Sequence, residues 1–508
     1  MTKLVFNKIS CILKNLYRMW VLQNLIKNIM WAKKTNIIAT IGPATESEDS
    51  IINLYNSWVN IIRFNFSHAN YQNAKLIKDR IEKLNLDWKT NLSTLLDTKW
   101  PEIRTGDLAE KITFEKWDII KMYVDLNKFS DDWSSLFCDY PYLLEDLKVG
   151  DIVEIDSGLL RVKVLDKKED YIEFIAGNRA VIWSRRHINL PWQKLRLPGI
   201  TEKDEEDVIF AIKNNFDFIA QSFVRSRENV LELREILDKN NWAHIKIISK
   251  IENSEWVENL DEIIEVSDGI MVARWDLGIE VPIETLPTYQ RQMVKKCLNS
   301  WKFVIIATHL LESMIENPFP TRAEISDIFN SVMQKADCVM LSGETAMWKY
   351  AQEAVVIMKN VIEEAEKQII YKHYDFSNNW LNQRNIEKKL LIKSAMFMAE
   401  ELDINAILIF TKTWLLARLA AAFRPNKDIY AFTWNPNTSK YMNILFWIRP
   451  YLLGNWTTNQ KDNVINSVKF LLEKWKINKE SKVIAITDIQ KDNKEIPALE
   501  IITVWDFF

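Results

Sequence analysis

Glycine is the residue this chain most lacks. Its 508 residues include 10 glycines, where average usage of about 7% predicts ~36. Glycine enters left-handed backbone regions at no steric cost and lets ligands approach the main chain, so a chain this long without it must make its turns some other way. Cysteine is scarce too. Cys11, Cys138, Cys297 and Cys338 are scattered and form no CxxC pair, which argues against a disulfide framework or thiolate zinc site and for a reducing compartment. No apolar run reaches the ~18 residues a membrane helix needs. Neither charge dominates: 66 Lys and Arg against 69 Asp and Glu leave a net charge of −3, so overall charge suggests neither nucleic acid nor an anionic membrane as a partner. There is no internal repeat and no low-complexity linker. The expectation is a soluble, cytoplasmic protein with two to four domains and ample core.

Tryptophan, by contrast, is in excess. There are 21, several times what a soluble enzyme normally carries. Together with the 10 glycines they number 31, close to the glycine count expected for this length. The first 33 residues are basic and amphipathic, with Lys3, Lys8, Lys14, Arg18 and Lys27 and no acidic residue. A targeting peptide shares those features; an N-terminal helix, or a start placed too early with Met19 or Met30 as the real one, is the preferred reading.

From Asn36 onward short apolar runs recur near 36–40, 60–64, 93–96, 217–220, 245–248, 269–272, 303–306 and 338–341, each followed by a polar turn and a helix-like segment. Eight strands alternating with helices predict a closed parallel (β/α)8 TIM barrel. Residues 101–197 instead carry the alternating runs "DIIKMYV", "DIVEI", "LLRVKVL" and "YIEFIA", which predict an all-β domain inserted after strand 3. After a long helix at 351–369, "AILIF", "IYAF", "VIAIT" and "EIITV" predict four strands of a C-terminal α/β domain. The expected organisation is an extension at 1–33, a barrel at 34–100 and 198–356, a β insertion at 101–197 and an α/β domain at 357–508.

Reactive groups of such a barrel sit at the C-terminal ends of its strands. There the sequence places Arg63, Asn65, Ser67 and His68; Asp97, Thr98 and Lys99; Gln221 and Ser222; Lys250 and Glu252; Arg274 and Asp276; Thr308; and Ser342, Gly343 and Glu344. In an extended segment alternate side chains share a face, so Lys250 and Glu252 point the same way. Two carboxylates, Glu252 and Asp276, beside a lysine suit a hard divalent cation and an anionic substrate. Taken alone, Lys250 and Glu252 read more readily as a rim ion pair and His68 as a plain hydrogen-bonding residue, while Asp97-Thr98 is also readable as a helix cap and Arg63 as a structural partner for a carboxylate.

The stretches "ATIGPAT", "IIRFNFSHAN", "LLDTKWPEIRTG", "LPGITEKDEEDV", "IISKIEN", "SDGIMVARWDLGIEVP", "ESMIENPFPTRAEISDIFN" and "VMLSGETA" resemble, in order, the motifs of the pyruvate kinase family. The likeness runs from about Lys34 to Val356 and thins beyond. It implies phosphoryl transfer from phosphoenolpyruvate to ADP, in a homotetramer, with Mg2+ (or Mn2+) and K+ as cofactors. On matching positions it implies that Glu252 and Asp276 ligate Mg2+, and that Lys250 neutralises the moving phosphoryl group. Thr308 would help protonate the enolate. Asn65, Ser67, Asp97 and Thr98 would hold K+, with Glu102 matching the K+-dependent form. Arg63, Asn65, His68, Arg104 and Arg186 would meet phosphates of substrate or nucleotide, while position 275, Ser342 and Glu344 shape the substrate mouth. Two other readings of the same barrel are a catalytically dead metabolite-binding subunit and a carbon–carbon lyase using Mg2+-enolate chemistry; the β insertion and "DTK…PEIRTG" favour the kinase, because a nucleotide needs a lid.

Where this family carries glycine, the chain has tryptophan: Trp58, Trp100, Trp117, Trp192, Trp256, Trp275, Trp348 and Trp447, with Trp242, Trp301, Trp414 and Trp475 as further cases. At 275 the family's glycine offers a helix-start N–H to the substrate carboxylate, and an indole competes for that space. One reading is a decoding difference, UGA written as tryptophan where the organism reads glycine, a single base away from GGA. The other is a genuine set of tryptophans in an altered enzyme, at a cost in stability at each tight turn. His187 and His309-Leu310 are smaller departures, and Leu416 replaces a hydroxyl in a loop that resembles an effector site.

Overall fold

The computed structural model describes residues 33–369 apart from 68, 69, 100, 101, 131, 243 and 348, and residues 383–507 apart from 458, 492 and 493. His68, Trp100, Trp348 and all of the basic extension except Lys33 lie outside the described residues.

Eight parallel strands close into a barrel: β1 (Asn36–Thr40), β2 (Val59–Asn65), β3 (Ser93–Asp97), β4 (Phe218–Gln221), β5 (Lys246–Ile251), β6 (Gly269–Ala273), β7 (Phe303–Ala307) and β8 (Cys338–Leu341). Each pairs with its neighbour in sequence, and β8 closes on β1. Most of these strands are buried along their whole length, as parallel strands covered on both faces must be. Helices on the outside start where the sequence supplies caps. Thr201 with Asp204, and Thr321 with Glu324, form reciprocal capping boxes, each satisfying two otherwise orphaned N–H groups.

Between β3 and the helix Glu202–Lys213 the chain builds a separate β unit with its own core, including Ile120, Leu136, Val162, Phe174 and Ile188. Its six-stranded sheet runs Ile188–Asn189, Ile152–Ile155, Leu160–Lys167, Tyr171–Ala176, Ile119–Tyr123 and Ser135–Phe137. The four alternating runs are strands here. Ile112–Phe114, Ser135–Phe137, Ala180–Ile182 and Ile188–Asn189 escape a reading by periodicity because two or three residues do not establish a period.

The C-terminal unit is a five-stranded sheet in the order Ile448–Leu452, Asp428–Thr433, Ala406–Phe410, Lys482–Lys491, Lys494–Thr503. The expected count was four; Ile448–Leu452 is the addition. Arg449 and Pro450 disguise it, and it survives because it lies at the sheet edge, where a missing N–H breaks no ladder bond. This unit seals the N-terminal end of the barrel, opposite the strand ends that carry the polar residues. Phe218 and Phe303 of the barrel interior meet Tyr441 and Trp414 at ring-centroid distances of 6.1 and 6.0 Å, in one continuous core. Around the seal, Trp447 N–H donates to Lys34 O (2.8 Å), and buried Arg424 pairs with buried Asp337 (2.7 Å).

Candidate active site

At the C-terminal mouth the strand ends deliver a connected polar cluster. Parallel register sets Asn65 beside Asp97 at the ends of β2 and β3. Arg63 donates from Nε to Asp97 Oδ2 (2.7 Å) and from Nη1 to Thr40 Oγ1 (2.9 Å). Lys250 Nζ stands 3.1 Å from Asp97 Oδ1 and 2.8 Å from Glu252 Oε1, and donates to Ser222 Oγ at 3.0 Å. The Phe223 N–H donates to Glu252 Oε2 (2.7 Å), which locks that carboxylate's orientation. Thr98 joins through Ser222, whose hydroxyl donates to Thr98 O at 2.8 Å. Ser67 N–H donates to Asn65 Oδ1 (3.3 Å). Arg63, Asn65, Ser67, Asp97, Thr98, Lys250 and Glu252 therefore form one neighbourhood.

The charges are tuned by that packing. Burial opposes ionisation of Asp97, but Lys250 and Arg63 outweigh it and hold the carboxyl below the usual range. Burial likewise works against the Lys250 ammonium, yet Asp97 and Glu252 more than compensate and keep it charged. Asp276 behaves differently: burial, then the nearby Glu252 charge, push its carboxyl up to about 7, with Lys250 pulling back. Glu252 is buried and Asp276 half-buried, and two carboxyls that repel one another fit a hard oxygen-seeking divalent cation shared between them, although among the described residues no group of three or more His, Cys, Asp or Glu is placed to hold a metal by itself.

Thr308 ends β7 in a left-handed conformation (φ 68°), followed by His309 (φ 53°). Its hydroxyl donates to Ala307 O (2.7 Å) and accepts from Trp275 N–H (2.9 Å). The Trp275 indole, 43% exposed, stands edge-to-face against the His309 ring with centroids 4.1 Å apart. The N–H that the family resemblance assigns to substrate is thus engaged by Thr308, and an indole stands at the mouth. Buried Arg274 fixes this loop, donating from Nε to Ala307 O (3.3 Å) and from Nη2 to Thr308 O (2.6 Å), while Nη1 pairs with Asp327 (2.5 Å). Glu344 is fully buried and accepts from Ser342 N–H (2.7 Å) and Leu311 N–H (3.2 Å). It braces the loops after β7 and β8, and Ser342 Oγ beside it is buried without a partner.

Arg104 and Arg186 lie in the inserted β unit, where Arg104 bridges to His187. Arg104 pairs with Glu102 and donates to Arg185 O (2.8 Å), while Arg186 stands 3.6 Å from Asp156. Among the described residues, these hydrogen bonds and ion pairs of Arg104 and Arg186 stay within the inserted unit and do not reach the Lys250 cluster. Two residues that the sequence shows only as polar strand ends organise the mouth: Ser222, the hydroxyl between Asp97, Thr98 and Lys250, and Arg274, which fixes the loop carrying Thr308. A serine in "AQSF" gives no signal of its own; only closure of the barrel puts it between strands.

The family model described as pyruvate kinase, barrel domain, matches residues 32–355, and that of the pyruvate kinase alpha/beta domain matches 389–499. The chain is 37% identical over 466 residues to a pyruvate kinase of Staphylococcus epidermidis, covering 91% of this chain and 79% of that one. It is 39% identical over 425 residues to a pyruvate kinase of Bacillus licheniformis, covering 82% and 71%. Among solved structures, a pyruvate kinase from Cryptosporidium parvum superposes with a TM-score of 0.86 at 33% identity, covering 94% of this chain and 99% of the other. With a barrel, an inserted β unit, a C-terminal α/β unit and these likenesses, the chain belongs to the pyruvate kinase family.

Proposed function

We propose that this protein transfers the phosphoryl group of phosphoenolpyruvate to ADP, giving pyruvate and ATP. The observation that carries the reading is Lys250, a buried ammonium kept charged by Asp97 and Glu252 at the barrel mouth. In the reaction the bond between phosphorus and the enol oxygen breaks, and a new bond forms to the terminal phosphate oxygen of ADP. The transferring group carries its charge on peripheral oxygens, so positioned cations do most of the work. Lys250 and Arg63 supply that charge from rigid strand ends. Thr308 orients the water that protonates the enolate carbon. Arg104, Arg186 and His68 meet the nucleotide phosphates, and Asn65, Ser67, Asp97 and Thr98 would hold K+. Glu252 and Asp276 would hold Mg2+ (or Mn2+), which would supply Lewis-acid neutralisation of the charge that develops during transfer.

The test is pyruvate formation from phosphoenolpyruvate by protein made with glycine at the suspect tryptophan positions, in the presence of ADP, Mg2+ and K+. ADP-dependent turnover is expected; its absence sinks the reading.

A further inference from the structure

We infer that at Trp58, Trp88, Trp117, Trp192, Trp301, Trp447 and Trp475 the polypeptide made by its own host carries glycine. Among the described residues eighteen non-glycine residues have positive φ, and these seven are tryptophan, with φ from 54° to 81°. At tryptophan's share of the chain, 21 of 508, fewer than one would fall in such a set. Bulky side chains are the worst occupants of that region, and glycine the natural one.

The local geometry names the missing residue. Trp88, Trp301 and Trp475 each follow a helix, at the position just past its cap. Trp88 N–H donates to Asn85 O and the next N–H to Leu84 O; Trp301 donates to Leu298 O and the next to Cys297 O; Trp475 donates to Leu472 O and the next to Leu471 O. This paired closure is the Schellman motif, whose left-handed residue is usually glycine. At Asn215 and Asn241 the same closure uses asparagine, the usual second choice. Trp117 and Trp192 sit at the third position of turns closed by Asp118 N–H to Glu115 O (3.1 Å) and Gln193 N–H to Leu190 O (3.2 Å), the second with Pro191 before it. A type II turn demands glycine there, and Gly150 occupies the same place in the turn from Lys148 to Asp151. Four of these indoles gain little by packing: Trp88, Trp117, Trp192 and Trp475 are 81, 66, 54 and 84% exposed. Trp88 lies outside the positions marked by family resemblance, so backbone geometry identifies it independently. The decisive experiment reads the gene's codons at these seven positions and the mass of the corresponding peptides from native cells. UGA codons with glycine-mass peptides are expected; UGG codons or tryptophan-mass peptides overturn the inference.

A separate observation concerns how the inserted unit is tied to the two carboxylates. The geometry points to Asn189 and Glu280 as positioning residues, and it rests on Glu252 and Asp276 being the divalent-cation ligands. Asn189, on the last strand of the inserted sheet, donates from Nδ2 to Glu280 Oε1 (2.9 Å), and both side chains are buried. Glu280 lies one turn beyond Asp276 in the short helix Arg274–Glu280. The next residues of the inserted unit reach the other ligand's loop: Trp192 N–H donates to Ser254 Oγ (2.8 Å), two residues after Glu252. One short connection thus grips both carboxylate-bearing segments, so a displaced lid shifts Glu252 and Asp276 together.

The test is a polarity swap in the full-length protein. Asn189→Asp replaces the donor amide by a carboxyl facing Glu280 and is expected to weaken Mn2+ binding, read by electron paramagnetic resonance, about 5-fold and to raise KM for ADP by about the same factor with a smaller fall in kcat, the size of a ~1 kcal/mol coupling. Adding Glu280→Gln lets the new amide donate to the new carboxylate and restores both values. Unchanged Mn2+ binding in N189D, or no rescue in the double variant, overturns the proposal. Asn189→Ala replaces N189D if that variant does not fold, judged by the same Mn2+ readout. Because Mn2+ binding is read without turnover, the test stands apart from the reaction proposed above.

Discussion

At the scale of single residues, the barrel mouth holds a few buried charges whose ionisation is set by their neighbours. Lys250 is the clearest. Replacing it by Met removes the ammonium while Asp97 and Glu252 remain, and kcat is expected to fall about 10²–10³-fold, measured by steady-state pyruvate formation against unchanged far-UV circular dichroism. The tryptophans obey the opposite logic, since their backbone conformation penalises the side chain they carry. Trp88→Gly, Trp117→Gly and Trp475→Gly should each stabilise the chain by about 1 kcal/mol, the left-handed penalty less the extra unfolded-state freedom of glycine, read as a higher denaturation midpoint. Lys250, Glu252 and Asp276 were legible in the sequence because each ends an apolar run. Ser222 and Arg274 were not, because a hydroxyl or guanidinium reveals its role only through partners on other strands.

At the scale of elements, the connection between the inserted unit and the barrel carries a pH liability. His187, in the segment leading to Ile188–Asn189, is pushed down from 6.5 to about 4, chiefly by burial, with Glu102 partly opposing. Below pH 6.5 the unfolded chain takes up a proton that the folded chain refuses until about pH 4. Stability therefore falls as pH drops through that window and is unaffected above it. The loss is expected to reach ~1–2 kcal/mol after allowance for partial exposure. His187→Asn should flatten this slope in urea melts run between pH 7 and pH 4.5. Long strands were legible because their runs are apolar throughout or alternate cleanly. The two- and three-residue strands were not, nor was Ile448–Leu452 with its internal proline, because pairing partners rather than local pattern create them.

At the scale of the whole molecule, the barrel has a working end and a sealed end. The sealed end joins the C-terminal unit through a shared apolar core and the Arg424–Asp337 pair, in which Asp337 also accepts from Val304 N–H (3.0 Å) and Phe446 N–H (3.1 Å). Arg424→Ala leaves that buried carboxylate without its cation and should destabilise the protein by about 3–5 kcal/mol, measured by chemical denaturation. The sequence by itself determined the order of strands and helices, the place of the insertion and which charged residues end each strand. Those follow from local apolar periodicity, which a linear chain displays. Only the three-dimensional structure decided that Ser222 lies between Asp97 and Lys250, that one short connection grips both carboxylate loops, and that Trp88 joins six tryptophans already marked by resemblance on left-handed backbone. The first two depend on barrel closure and on contacts between distant segments, and the third on a dihedral angle that the residue types alone do not display.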